Sequence, residues 1–418
     1  MEKNKLIAVL AVLILAVAGV AAVVMLYGGN DSKKIQDYGG ELQVYGNANE
    51  DSVIDEDDIR YIEECIVGDV DETAFCDANN DGTVDQRDVE QVRKMLSRED
   101  GLTVWYIDGN YDTSNVVWPL DKIVVLANSP QLMALAVGLD DSKIIGYTKE
   151  DSILFKSFEG AKTLTTSDPA DFEGITAAGV PDAVIIGNLE SRVIDASVRA
   201  LYNRAGIDII PILGMDGEES SSSALTLGYL VDCEERSQKY ADWCHDMLSA
   251  VEDKVASLED ADRRTALVWF ALYAAAGIGN DYTKALEASG GKTIADWNNY
   301  KMLNADNGTW ILNYDPEYII RIFTMGYGSS PEVRENLYEM YGEVVKPMNA
   351  YKNGKFCVID FTLPQTLRIA YMAEFMYPEL FEDGFADEWH QKLMDIYGID
   401  FKVDGQFIIT AEEYNKKS

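Results

Sequence analysis

From residue 121 onward, short apolar runs alternate with stretches of helical periodicity. Residues 123–127, 143–147, 183–187 and 207–212 are rich in β-branched side chains and are predicted strands. Between the first two, Ser129-Pro130 can start a helix and Gly138 can stop it. A helical crossover returns the chain parallel to its first strand, so the loop Asn128-Ser129-Pro130 is expected at a strand's carboxyl end, where open α/β sheets bind ligands. Ser220 to Ser223 breaks the alternation. The segment 234–258 then carries Tyr240, Trp243, Cys244, Met247, Leu248, Val251, Val255 and Leu258 on one helical face. A helix of that length reaches about 37 Å and reads as a strut. Beyond it, predicted strands at 265–272 and 356–361 and helices at 282–288, 363–376 and 386–397 build a second α/β lobe. The predicted organisation is a membrane anchor at 1–30, a linker at 31–43, a small all-α loop–helix domain at 44–100 and a linker at 101–120. Then follow the first lobe at 121–232, the bridging helix at 233–260 and the second lobe at 261–418.

The amino terminus is expected to set the compartment. Residues 6–27 carry no charge, lysines precede them and Asp31 follows. The run matches the ~20 residues that cross hydrocarbon. Its flanks place the bulk of the chain outside the cytoplasm, as a single-pass membrane protein. A cleaved signal peptide is the alternative, with small residues at Ala16-Val17-Ala18 and Val20-Ala21-Ala22.

The most specific spacing lies at Asp77, Asn79, Asp81, Thr83, Asp85 and Asp88, with Gly82 at the turn. Oxygen ligands at loop positions 1, 3, 5, 7, 9 and 12 suit Ca²⁺, which takes six to eight oxygens. Thirty residues earlier Asn47, Asn49, Asp51, Val53, Asp55 and Asp58 repeat the register, with Asn in the first place and Ser52 in place of the glycine. Each loop runs into a helix with matching apolar spacing: Ile59, Ile62 and Ile66, then Val89, Val92 and Leu96. This pair resembles a type I dockerin, which implies calcium as cofactor and a cohesin-bearing protein as a partner. A second use of the same metal is to staple the fold of a stalk.

Charge narrows the function classes. The chain has 35 Lys+Arg against 72 Asp+Glu, a formal charge of −37. Such a surface repels nucleic acid and anionic lipid. Two histidines, His245 and His390, exclude a multi-histidine metal site. Of five cysteines, Cys65 and Cys76 can pair, whereas Cys233 and Cys244 fall about 16 Å apart on one helix. No Gly-x-Ser-x-Gly elbow or P-loop is present, and Gly277-Ile-Gly279 lacks a third glycine, so no enzyme is expected.

Five segments stand in one order: Asp121-Lys-Ile-Val-Val-Leu with Ala136 to Gly146; Phe172-Glu173-Gly-Ile with Val180-Pro181-Asp182-Ala-Val-Ile; Ala288-Ser-Gly290-Gly291; Lys352-Asn-Gly354 to Asp360; and Tyr377-Pro378-Glu379-Leu380-Phe381. With the two lobes and the strut, they resemble class III substrate-binding proteins of ABC importers. The resemblance implies an extracytoplasmic protein that captures a ferric siderophore, haem or corrinoid such as cobalamin and presents it to a permease. Its acidic docking position falls on Glu173, while the second lobe has Thr309. The ligand is expected in a cleft lined by Asn128, Ser129, Gln131, Asn188, Arg192, Trp269, Tyr273, Trp297, Tyr300, Tyr327, Phe361 and Arg368, because aromatic faces with a few polar donors suit a large planar or chelate ligand. The alternative is a cell-surface assembly or adhesion protein whose working part is the dockerin-like pair.

Overall fold

The computed structural model describes residues 40–148, 153–177, 179–187, 191, 194–213, 219–270, 274–302, 312–323, 327, 330–412 and 414. No helix of these residues is long and apolar enough to cross a membrane, and the predicted span at 6–27 lies outside them. The described residues fall into two compact units, one within Ile35–Asp246 and Leu393–Ile399, the other within Met247–Lys392 and Asp400–Ser418.

The first unit opens with the loop–helix pair. Helices α1 (Glu56–Val67) and α2 (Gln86–Leu96) start on the N-caps Asp55 and Asp85, and Asp58 or Asp88 reaches back to the cap N–H. Their buried rows are Ile59, Ile62 and Cys65, and Val89, Val92 and Met95. Ile66 and Leu96, expected in those rows, are 41% and 36% exposed. Three-residue steps bring Cys65 and Met95 to the inner face, one position short of the expected residues.

Residues 101–120 are not the expected linker. They form an antiparallel hairpin of β1 (Thr103–Ile107) and β2 (Thr113–Val117), with Val104, Tyr106 and Val116 buried by strict alternation. Asp108 builds the turn: one carboxylate oxygen accepts from the N–H of Asn110 and Asp112, the other from the Ser114 hydroxyl. The hairpin also ties to the repeat, where Val44 bridges Tyr106 and Tyr45 N–H donates to Trp105 O at 2.9 Å.

A five-stranded parallel sheet follows, ordered β5-β4-β3-β6-β7. The elements in chain order are β3 (Ile123–Val125), α3 (Asn128–Val137), β4 (Ile144–Thr148), β5 (Lys162–Leu164), α4 (Phe172–Thr176), β6 (Ala183–Gly187), α5 (Ala196–Ala205), β7 (Asp208–Ile212), α6 (Ser220–Leu230) and α7 (Glu234–Val255). The central strands are apolar without alternation, as a sheet covered on both faces requires. Asp182 explains the Pro-Asp segment, since its carboxylate accepts from the N–H groups of Asp121 and Lys122 and fixes the entry to β3.

Pro211 is tolerated because β7 is an edge strand, and the hairpin shields that edge. Gly109 N–H donates to Pro211 O at 2.9 Å, and a Cβ on Gly109 would stand 2.5 Å from the Ile212 backbone. The serine run read as a break is instead the start of α6, with Ser220, Ser221 and Ser222 buried. Small side chains let residues 40–43 pack flat on this helix: Glu41 N–H donates to the Ser222 hydroxyl and Gln43 N–H to the Thr226 hydroxyl, both at 3.1 Å.

The second unit contains β8 (Thr265–Phe270), β9 (Ala274–Ala276), α8 (Asp281–Ala288), β10 (Lys292–Thr293), β11 (Tyr300–Met302), β12 (Tyr318–Phe323), α9 (Pro331–Val345), α10 (Asn349–Lys352), β13 (Phe356–Asp360), α11 (Gln365–Met376), α12 (Phe385–Tyr397) and β14 (Ile408–Thr410). The last turns of α12 belong to the first unit. The sheet runs β11-β9-β8-β12-β13-β14 with β10 beside β8. β8, β12 and β13 are parallel, β9 and β14 run against them, and β11, antiparallel to β9, runs in their direction. Tyr377 connects two of the quoted segments by donating to Gly290 O at 2.7 Å.

His390 of α12 is fully buried. Tyr371 donates its hydroxyl proton to Asp387 at 2.7 Å, so His390 Nδ1, 3.2 Å away, carries the ring proton. Nε2 then accepts from the Tyr327 hydroxyl at 2.8 Å, and Phe407 packs 4.2 Å from the ring. Burial lowers the His390 pKa to about 3. The native chain therefore resists the proton that the unfolded chain takes up below about pH 6.5. The stability from neutral His390 is complete above that pH and is lost as pH falls toward 3. Between pH 7 and 5, we expect His390→Gln to lose about 2 kcal/mol less stability than the wild type, read from denaturant midpoints.

Candidate functional site

Two places in the fold carry candidate chemistry. In the repeat, the two loops use the same hydrogen-bond frame. Asp58 accepts from Asn49 N–H at 3.3 Å and Asp55 N–H at 2.8 Å; Asp88 accepts from Asn79 N–H at 3.1 Å and Asp85 N–H at 2.8 Å. Both carboxylates are fully buried, and burial raises their pKa, for Asp58 to about 6. A buried carboxylate without a cation is poorly solvated, and the position calls for positive charge.

The remaining ligand positions differ between loops. Asp77 accepts from Asp81 N–H and Gly82 N–H at 3.0 and 2.7 Å, Asp81 accepts from Thr83 N–H, and Gly82 sits at φ +89. Arg87 pairs with Asp81 and Asp85 and holds the Asp85 carboxyl below its usual range. In the first loop Asn47 donates to Leu42 O and Asp51 O, while its Oδ1 is buried and accepts no hydrogen bond among the described residues. Asn49 and Asp51 bond each other at 2.7 Å, and Asp51 accepts from Val53 N–H. Among the described residues, no three Asp, Glu, Cys or His side chains gather as a metal cluster, because these carboxylates close onto their own loop amides. The donor set still fits a hard cation: it is all oxygen, its deepest carboxylates are desolvated, and one amide oxygen is unsatisfied.

The second place is the carboxyl end of the first parallel sheet. Strand order reverses beside β3, and that switch point is where ligands enter open α/β sheets. Ala127, just after β3, holds φ +65, a left-handed conformation that is strained for alanine. Next to it Asn128 has a buried Oδ1 with no hydrogen-bond partner among the described residues, and Ser129 is half-buried. Gln131, by contrast, is fully buried and ties α3 to Thr148 O at 2.8 Å.

In the second unit the expected ligand groups separate. Trp297 and Tyr300 are half-buried, and Lys301 stands 4.9 Å above the Trp297 ring and 5.4 Å from Tyr314. Phe361 lies 5.9 Å from the buried Arg368 guanidinium, which also stacks on Tyr282 at 5.2 Å. Trp269 is core, edge-on to Tyr341 at 5.2 Å. Tyr327 belongs to the His390 cluster. Asn188, Arg192, Tyr273 and Thr309 lie outside the described residues. Glu173 is exposed in the first turn of α4. Sequence reading missed Arg321, whose guanidinium is fully buried among Trp269, Phe323 and Tyr341 and donates to Trp269 O and Ile322 O. Its signal was one charge inside an otherwise apolar strand.

Between the hairpin and α6 lies a cavity of about 40 Å³, lined by Tyr106, Asp108, Ser222 and Thr226 among others. It has room for ordered water and none for a chelate.

Residues 45–97 match the family model described as the Dockerin type I domain. A comparison with curated proteins finds no match. In fold the chain is similar to a TroA-like periplasmic binding protein, FepB, from Veillonella parvula, with 16% identity, TM-score 0.60 and coverage of 73% of this chain and 99% of that one. It is also similar to MolA, a periplasmic binding protein of Haemophilus influenzae solved with molybdate, at 15% identity, TM-score 0.54 and coverage of 72% and 99%. A third is Helicobacter pylori CeuE in a nickel–histidine complex, at 15% identity, TM-score 0.52 and coverage of 71% and 95%. The α/β fold is that of TroA-like class III periplasmic binding proteins.

Arg98, just past α2, locks the repeat to α6 and the start of α7. Its guanidinium stacks between Trp118 at 4.3 Å and Tyr229 at 4.4 Å, donates to Tyr229 O, and pairs with Asp232 and Glu234 at the start of α7. Arg98→Ala should lower the stability of the full chain by about 1–2 kcal/mol, the sum of two stacked cation contacts and part-exposed ion pairs. Arg98→Lys should recover only part of it in the same denaturant titration.

Proposed function

We propose that this chain is the extracytoplasmic substrate-binding protein of an ABC importer, and that it captures an iron chelate, haem or corrinoid. The observation that carries this reading is the strained Ala127 beside the unsatisfied Asn128 at a sheet switch point, in a fold shared with solute-binding proteins. Asn128, Ser129, Trp297, Tyr300 and Phe361 are the proposed ligand groups among the described residues, with Asn188, Arg192 and Tyr273 alongside them. Aromatic rings suit a planar or chelate face, and polar groups suit its edge. Glu173 is proposed to meet a cationic site on the permease. An anchor at 6–27 would hold the chain at the membrane. Binding and release need no bond chemistry, and no catalytic role is assigned.

The repeat is proposed to bind calcium through Asp77, Asn79, Asp81, Thr83, Asp85 and Asp88, and through Asn47, Asn49, Asp51, Val53, Asp55 and Asp58. Bound calcium would neutralise the two buried carboxylates, Asp58 and Asp88. The match of residues 45–97 to the dockerin model favours a second role, docking on a cohesin-bearing partner, which is compatible with the first.

Two measurements test these readings. Haem, a ferric siderophore or cobalamin is expected to quench tryptophan fluorescence saturably, with Trp297→Phe removing a large part of the signal. The importer reading fails if none of these, nor molybdate or nickel–histidine, binds. Calorimetry with Ca²⁺ should show two sites in the wild type and one in Asp77→Ala/Asp88→Ala; identical isotherms would remove the second loop as a site.

A further inference from the structure

We propose that Cys65 and Cys76 are oxidised to a disulfide as the chain folds, stapling the end of α1 to the start of the second calcium loop. Their sulfur atoms stand 3.5 Å apart, so closing to a bond of about 2.05 Å needs a small side-chain adjustment. Both residues are buried, at 7% and 0% exposure, and they are 11 positions apart in the chain. Cys76 precedes Asp77, the first ligand position of the second loop, and its sulfur accepts from Thr73 N–H at 3.4 Å. Thr73 in turn donates its hydroxyl to Ala48 O at 2.8 Å, so the sulfur pair lies where the two repeats meet.

The other cysteines are placed differently. Cys233 lies by Gly138 O and Val231 O, Cys244 is 4.0 Å from the Ser220 hydroxyl, and Cys357 is buried within β13. The proposal needs an oxidising compartment, which is the only element it takes from the functional reading.

With oxidised glutathione as electron acceptor, one cysteine thiolate attacks the glutathione disulfide and expels one glutathione thiolate. The second cysteine thiolate then attacks the mixed disulfide and expels the other. Two protein thiols lose two electrons and two protons, and one glutathione disulfide becomes two thiols. Burial pushes the Cys65 thiol up to about 12 in the folded repeat, so exchange there is slow and the bond forms before the repeat closes.

The test refolds the full chain in a glutathione redox buffer, alkylates it in denaturant and maps the peptides. We expect three alkylated cysteines, a peptide pair joining Cys65 to Cys76, and an intact mass about 2 Da below that of the reduced chain. Five alkylated cysteines, or a bridge that includes Cys233, Cys244 or Cys357, overturns the proposal. Reductant should also lower the thermal midpoint of the oxidised wild type by about 5–10 °C and leave Cys65→Ala/Cys76→Ala unmoved. A wild type indifferent to reductant overturns it equally, whether or not the double variant folds.

Discussion

Carboxylates outnumber basic side chains by 72 to 35, so most of them cannot be balanced by a salt bridge. The fold answers by turning carboxylates onto backbone N–H groups. Asp55, Asp85, Asp140, Asp171 and Asp195 cap helices, Asp108 builds the hairpin turn, and Asp182 fixes the entry to the central strand. An ionised acceptor strengthens such bonds, and the helix dipole favours negative charge at these places. Asp58 and Asp88 are fully buried as well as bonded, burial raises the pKa of both, and they are among the proposed ligand positions of the repeat.

The few basic residues are correspondingly placed where they do most. Arg98 joins two rings, one carbonyl and two carboxylates in a single contact between the repeat and the helices α6 and α7. Together with the serine-rich face of α6 and the Val44 bridge to the hairpin, it makes the repeat part of the first unit's body. A dockerin-like pair on a flexible stalk would need none of these contacts.

Much of this was legible in the chain. The parallel strands followed from unbroken β-branched runs, and the loop–helix pair from its alternating oxygen residues. The long helix α7 buries Tyr240, Trp243, Cys244, Met247, Val251 and Val255, as its spacing required, while Leu248 of the expected face is half-buried and Leu258 falls past the end of the helix. The hairpin at 103–117 was hidden because its strands are short and lie among turn residues. α6 was hidden because serine opens it, and serine is a poor helix former unless its hydroxyl finds a neighbour. Ligand groups were less legible: an aromatic residue at a strand end reads alike whether it lines an opening or fills a core, and only packing separates Trp269 from Trp297. Arg321 was missed because its apolar neighbours dominated the pattern.

The hairpin that shields Pro211 also decides how the first unit would answer a mechanical pull. A partner tugging on the repeat would load residues 40–45 along their length, across the amide contacts to α6 and the hairpin. Those bonds would be sheared together and would not peel one at a time. Force would thus arrive at the flank of the parallel sheet as through a stiff bracket, leaving the strand termini around Ala127 unburdened.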